Sequence, residues 1–140
     1  IRIDSVTLTD TNGTPRNDFA TGETIVVEID VQADHAVSDA RIIGAIGSAA
    51  FGNLGSFASP HTDFKFRINV PHTRLRLVLP DIPLLIGGYT LTLNLYGPDI
   101  TEFLDRRSPA ATFRITSPPT DAFGYGVGET LLFNHRWEQA

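Results

Sequence analysis

Few residues in this chain could do covalent or metal chemistry, and their spacing argues against it. Gly44-Ala45-Ile46-Gly47-Ser48 does not form a nucleophile elbow, and Ser48 has no His near it in sequence. Triads assemble from distant positions, so spacing alone leaves one open. The four histidines, His35, His61, His72 and His135, show no pair at helical spacing, and His61-Thr62-Asp63 is not by itself a metal site. Each reads as a loop or surface histidine. Gly124-Tyr125-Gly126-Val127-Gly128 has the wrong spacing for a phosphate loop and no following helix or Lys, so it reads as a flexible connector. Asp10-Thr11-Asn12-Gly13 looks like the start of a calcium loop. It lacks the next alternate oxygen ligand and the Glu twelve residues from its start, and reads as an Asn-Gly turn. Asn12-Gly13-Thr14 is a glycosylation sequon, relevant only to a secreted chain. Asp99, Glu102 and Asp105 read as solvated charges in a loop. No ion, nucleotide or other cofactor is expected, and no catalytic residue is assigned.

The elements that carry these residues alternate with period two, and no long stretch keeps the i, i+3, i+4, i+7 spacing of an amphipathic helix. Residues 24–31 set Ile25, Val27, Ile29 and Val31 against Val26, Glu28 and Asp30. Residues 64–70 set Phe64, Phe66, Ile68 and Val70 against Lys65, Arg67 and Asn69. Residues 74–79 turn Leu75, Leu77 and Leu79 inward, and residues 89–96 do the same with Tyr89, Leu91, Leu93 and Leu95. Weaker strands are read at 2–9, 40–46, 111–116 and 130–137. In the first, apolar parity switches between Ile3 and Val6, which predicts a bulge near Ser5. Breakers such as Ser59-Pro60, Val70-Pro71, Leu79-Pro80, Gly87-Gly88, Gly97-Pro98 and Pro118-Pro119 separate the strands at sandwich spacing. The pattern predicts one all-β domain over 1–140, with turns at the spacing of a sandwich or a barrel.

Composition narrows the partners. The chain has 140 residues, a formal charge of −5, no Cys and no Met. It is long enough to bury a core without disulfides or metals. Without Cys there is no thiolate nucleophile and no thiolate metal site. Acidic balance with Lys65 as the single lysine argues against nucleic-acid binding, which needs clustered cations. The most apolar stretch, Ile82 to Ile86, is broken by Pro83 and falls far short of the roughly 20 residues of a membrane helix. A start on Ile1, with no Met, reads as a fragment of a longer chain.

Several motifs, taken in order, resemble one family. They are Ile3-Asp4-Ser5-Val6-Thr7-Leu8-Thr9-Asp10-Thr11-Asn12-Gly13, then Phe19-Ala20-Thr21-Gly22-Glu23 leading into residues 24–27 as an F-x-x-G-E signature. Leu84-Leu85-Ile86-Gly87-Gly88-Tyr89-Thr90-Leu91 follows, similar to an L-L-x-G-x-Y-x-L hairpin, then Phe113-Arg114-Ile115, Tyr125-Gly126 and Trp137. Together they resemble the C-terminal polysaccharide-binding domain of the ATP-binding subunit of O-antigen ABC exporters, the Wzt type. The chain departs from that pattern between Gly47 and Pro60, in the kind of ligand-contacting loop that varies most.

The resemblance implies a two-sheet antiparallel β-sandwich of immunoglobulin-like or jelly-roll type, a non-catalytic domain that recognises the finished, usually modified non-reducing end of O-antigen polysaccharide, so that the exporter passes only that polymer. It implies a cytoplasmic location, peripheral to the inner membrane through the transporter, with an ATPase domain in the full-length chain. It also implies a homodimer; the apolar final strand, 130–137, behind a Pro- and Gly-rich connector, is expected at the interface, with exchange between subunits as one arrangement. Trp137 is expected in the core or that interface. A sugar site needs amphipathic rings against pyranose C–H faces, with amides and guanidinium groups around the hydroxyls. Outward parity selects Tyr96 and Asn94, with Arg41 on a neighbouring strand and Arg74 and Arg76 one strand earlier. Guanidinium groups would suit a phosphate or acidic-sugar cap. The alternative from another class is an immunoglobulin-like structural or adhesive module of a secreted or surface protein, to be told apart by the sequence preceding Ile1.

Overall fold

The computed structural model describes residues 1–58, 64–117, 131 and 136–139. Among them run β1 (Arg2–Thr9), β2 (Asp18–Ala20), β3 (Ile25–Gln32), β4 (Val37–Ser48), β5 (Gly52–Ala58), β6 (Phe66–Ile68), β7 (His72–Leu79), β8 (Gly87–Tyr96) and β9 (Phe103–Ser117). One sheet has the order β1-β3-β7; the other has the order β2-β9-β8-β4-β5, with β6 paired to β4. The chain is an all-β sandwich, and no described helix is long and apolar enough to cross a membrane. Every pairing is antiparallel except β2 with β9, a parallel edge in a fold read from sequence as wholly antiparallel.

Alternation builds the core. Ile25, Val27, Ile29 and Val31 of β3 face Leu91, Leu93 and Leu95 of β8, all buried, and each such side chain contributes roughly 1.5–3 kcal/mol by leaving water. The parity switch in β1 is a bulge, with the register to β3 shifting between Ile3 and Ser5. The Asn12-Gly13 segment is a turn: Gly13 has φ 82°, and Asp10 Oδ1 accepts the N–H groups of Asn12 (2.9 Å) and Thr14 (3.0 Å).

Two of the motifs meet in space. Gly22 adopts φ 84°, a left-handed turn conformation that glycine takes without strain. Its N–H donates to Ile82 O (2.9 Å), Ile82 N–H donates to Glu23 O (3.1 Å), and the Thr21 hydroxyl donates to Leu84 O (2.7 Å). The Glu23 carboxylate accepts from Ala20 N–H (2.8 Å) and pairs with Arg16. Tyr89 then sends its hydroxyl back to Leu85 O (2.5 Å), as the tyrosine corner of immunoglobulin-like sandwiches does, and burial pushes its phenol pKa up. These contacts tie the turn before β3 to the start of β8 and fix how the two sheets join.

Several expectations need correction. The strand read at 64–70 is only Phe66–Ile68; Phe64 and Val70 are exposed, because β6 pairs with β4 at two positions only, Phe66 with Ala40 and Ile68 with Val37, before the chain bends at Pro71. Val26, assigned to the wet parity, is buried. β2 and β5 fall in stretches where no period-two strand is expected from sequence. β9 begins at Phe103 rather than at Ala111, so Asp105 lies in a strand, where it accepts the Ile3 N–H (2.7 Å). Arg107 Nη1 donates to Ile3 O (3.0 Å) and Asp4 O (2.8 Å), so β9 laces β1 to the other sheet. The strand expected at 130–137 and the 124–128 connector lie mostly outside the described residues. Within it, Leu131 bridges Leu84, and Trp137 is 89% exposed in the single chain rather than in its core.

Candidate functional site

β4, β8 and β9 lie side by side, and their register arranges the outer face of the six-stranded sheet in cross-strand rows. Arg41 pairs with Tyr96, which pairs with Phe103; next to that row, Ile43 pairs with Asn94, which pairs with Arg106. Ala40, Leu93 and Leu95 on the opposite parity are buried, so these rows point away from the core. Arg41, Asn94 and Tyr96, three of the five residues selected from sequence, therefore sit together. Arg74 and Arg76 do not join them. They belong to β7 in the other sheet, opposite Asp30 and Glu28, and are tied to them at 2.9 and 2.7 Å. The reason is topological: β7, one strand before β8 in sequence, crosses to the other sheet.

The turn after β8 walls the face. Gly97 N–H donates to Glu102 O (2.8 Å), Glu102 N–H to Asp99 O (2.9 Å), and Thr101 N–H to Asp99 Oδ1 (3.0 Å), which closes Pro98 to Thr101 into a compact loop. Gly97 is buried, and a Cβ there would lie 2.6 Å from Glu102 Oε2, so a larger residue would make the Glu102 side chain swing away. The result is an open cleft of about 370 Å³ lined by Arg41, Ile43, Tyr96, Pro98, Asp99 and Ile100. Tyr96 leans edge-on against Phe103, with centroids 5.9 Å apart at 74°. Ile100 and Phe103 are 62% and 56% exposed, an apolar rim beside polar groups.

Charge in the cleft is mixed. Asp99 is held below the ordinary carboxylate range, chiefly by the backbone and side-chain hydrogen bonds from Thr101 and to a smaller degree by the Arg41 charge. Arg41 Nε is buried and has no hydrogen-bond partner among the described residues. A buried donor without an acceptor costs on the order of 1–3 kcal/mol, a cost that a ligand oxygen recovers only if the guanidinium turns to expose the Nε–H. An aromatic ring flanked by an amide, a guanidinium and a carboxylate can stack against a C–H face while exchanging hydrogen bonds with hydroxyls. Sequence reasoning missed Asp99, Arg106 and the Ile100 rim, because only the β8–β9 register and the turn geometry bring them to this face.

Among curated proteins, none matches the chain in sequence. The profile of the Wzt C-terminal domain family matches residues 1–128. A solved structure described as the crystal structure of the C-terminal domain of wzt superposes with a TM-score of 0.81 at 12% identity, covering 99% of this chain and 83% of that one.

Proposed function

The chain belongs to the Wzt C-terminal domain family, and from that premise we propose that it is a non-catalytic carbohydrate-binding domain of a polysaccharide exporter. Its ligand is the modified non-reducing end of an O-antigen polysaccharide, seated at Arg41, Asn94 and Tyr96 on the outer face of the six-stranded sheet. The observation that carries this reading is the Arg41 guanidinium, with its buried and unpartnered Nε, in register with Tyr96 in an open cleft. A cap bearing phosphate or carboxylate oxygens would accept from that guanidinium. Arg74 and Arg76, already paired with carboxylates on the far sheet, support the outer charge ladder rather than this site.

The domain works as a homodimer carried by an ATPase on the cytoplasmic side of the inner membrane, coupled to the membrane subunit of the transporter. An exporter with two ATPase copies presents two such domains, and the apolar final segment supplies the contact between them. Replacing Arg41 with Gln tests the site, since it keeps hydrogen-bonding atoms while removing charge. Against the O-polysaccharide of the source strain, Arg41→Gln should lower affinity about tenfold, equivalent to about 1.4 kcal/mol. Unchanged affinity would place the cap elsewhere.

A further inference from the structure

The face that holds the cleft does not end at it. Along β4 and β8, the next outward row is Ala45 opposite Thr92, then Gly47 opposite Thr90, and Thr90 in turn pairs with Thr112 of β9. The last row joins Gly88 to Arg114, and Arg114 to Asp18 of the parallel strand β2. A second cleft of about 420 Å³ opens there, lined among others by Asn17, Asp18, Thr90, Thr112 and Arg114. Both clefts therefore open on one face, at opposite ends of β8; between them lie the Ile43–Asn94–Arg106 row and then two rows of small side chains, Ala45–Thr92 and Gly47–Thr90–Thr112. On one side Thr92 is held to Ser108 (3.1 Å), where the β8–β9 register shifts between Leu91 and Leu93, so that the bulged strand borders the path.

From Tyr96 to Gly88 the strand covers about 27 Å at a strand's rise per residue. That span suits several linked pyranose rings rather than one. The far cleft offers an amide, a carboxylate, two hydroxyls and a guanidinium, donors and acceptors of the kind that hydroxyl-rich rings exchange. Beyond the Asn94–Arg106 row, only small outward side chains of β4 and β8 lie on the path to the far cleft, so nothing there forces a polymer off the sheet.

We propose that the Asn17–Asp18–Thr112–Arg114 cleft is a second carbohydrate subsite. It takes interior units of the same polymer whose end occupies the Arg41–Tyr96 cleft, so that the domain reads a length of chain as well as a cap. This rests on the carbohydrate reading above, and the experiment separates the two. Source-strain O-polysaccharide would be cut by mild acid, and cap-bearing fragments sorted by size and titrated calorimetrically into the wild-type domain, Arg114→Ala and Tyr96→Ala. Affinity should climb about tenfold from the shortest to the longer fragments and then level off. Arg114→Ala should bring long fragments down to the affinity of short ones and leave short ones unchanged, with melting unaltered, while Tyr96→Ala weakens every length. Equal affinity at all lengths, or an Arg114→Ala effect that ignores length, would overturn the second subsite and leave the first standing. Binding at no length would overturn the carbohydrate reading, and the subsite with it.

Discussion

At Tyr96 the side chain is half-buried, sits edge-on to Phe103 and lines the open cleft. Removing it forfeits an aromatic pair worth about 1 kcal/mol, while the core side chains below, Leu93 and Leu95, keep their packing. Tyr96→Ala should therefore weaken glycan binding at every chain length and lower stability by only about 1 kcal/mol in a denaturant titration. A loss several times larger would identify the ring as core and remove it from the site. Tyr96 and Asn94 could be selected from sequence because strand parity alone decides which way a side chain points. That Arg41 faces Tyr96, and that Asp99 and Ile100 wall the cleft, depends on a register between strands about 50 residues apart and on a turn closed by its own hydrogen bonds. Neither leaves a local signature.

Strands with strict alternation and β-branched or leucine-rich inner faces, β3, β7 and β8, were legible because burial of one face selects the pattern. The edge strands β2 and β5 were not. Gly52-Asn53-Leu54-Gly55-Ser56 has no local preference for extension, and its pairing with β4 supplies the order, helped by Gly44, whose missing side chain leaves room for the Phe57 ring. The first half of β9 carries charges inward as well as outward, since Asp105 and Arg107 lace β1, so its apolar period is broken. Membership of a sheet is equally invisible to parity, which is why Arg74 and Arg76 were grouped with β8. On their own face, the guanidinium of Arg74 holds Asp30 below the usual carboxylate range, and Asp30 raises Arg74 in return. A carboxylate lowered in the folded state adds stability that is complete above about pH 4 and is lost as pH falls through the lowered value. Asp30→Asn should flatten that acidic limb of a melting-temperature profile and leave the neutral region nearly level, because the pair is largely exposed. An unchanged acidic limb would mean the pair contributes nothing to folding.

For the whole molecule, the sandwich has one charge-laddered outer face, β1-β3-β7, and one face with clefts at both ends, and we assign recognition to the second. Leu131 against Leu84, at the edge where the turn before β8 passes, puts part of the final segment beside the sandwich, where it can also reach a second copy. Sedimentation of the intact domain should show a dimer, and removal of residues from Gly128 onward should abolish it with loss of solubility. A stable monomer that stays folded after truncation would refute the interface. The claim on which the rest depends is that sugar binds the outer face of the six-stranded sheet. Titrating the isotopically labelled domain with source-strain O-polysaccharide and following backbone amide shifts by NMR tests it directly. The account predicts weak binding, roughly 4–8 kcal/mol, with the largest shifts at Arg41, Asn94, Tyr96 and Asp99 and little change at Arg74 and Arg76. Shifts centred on β7, or none with this polymer while an unrelated glycan binds, would contradict it.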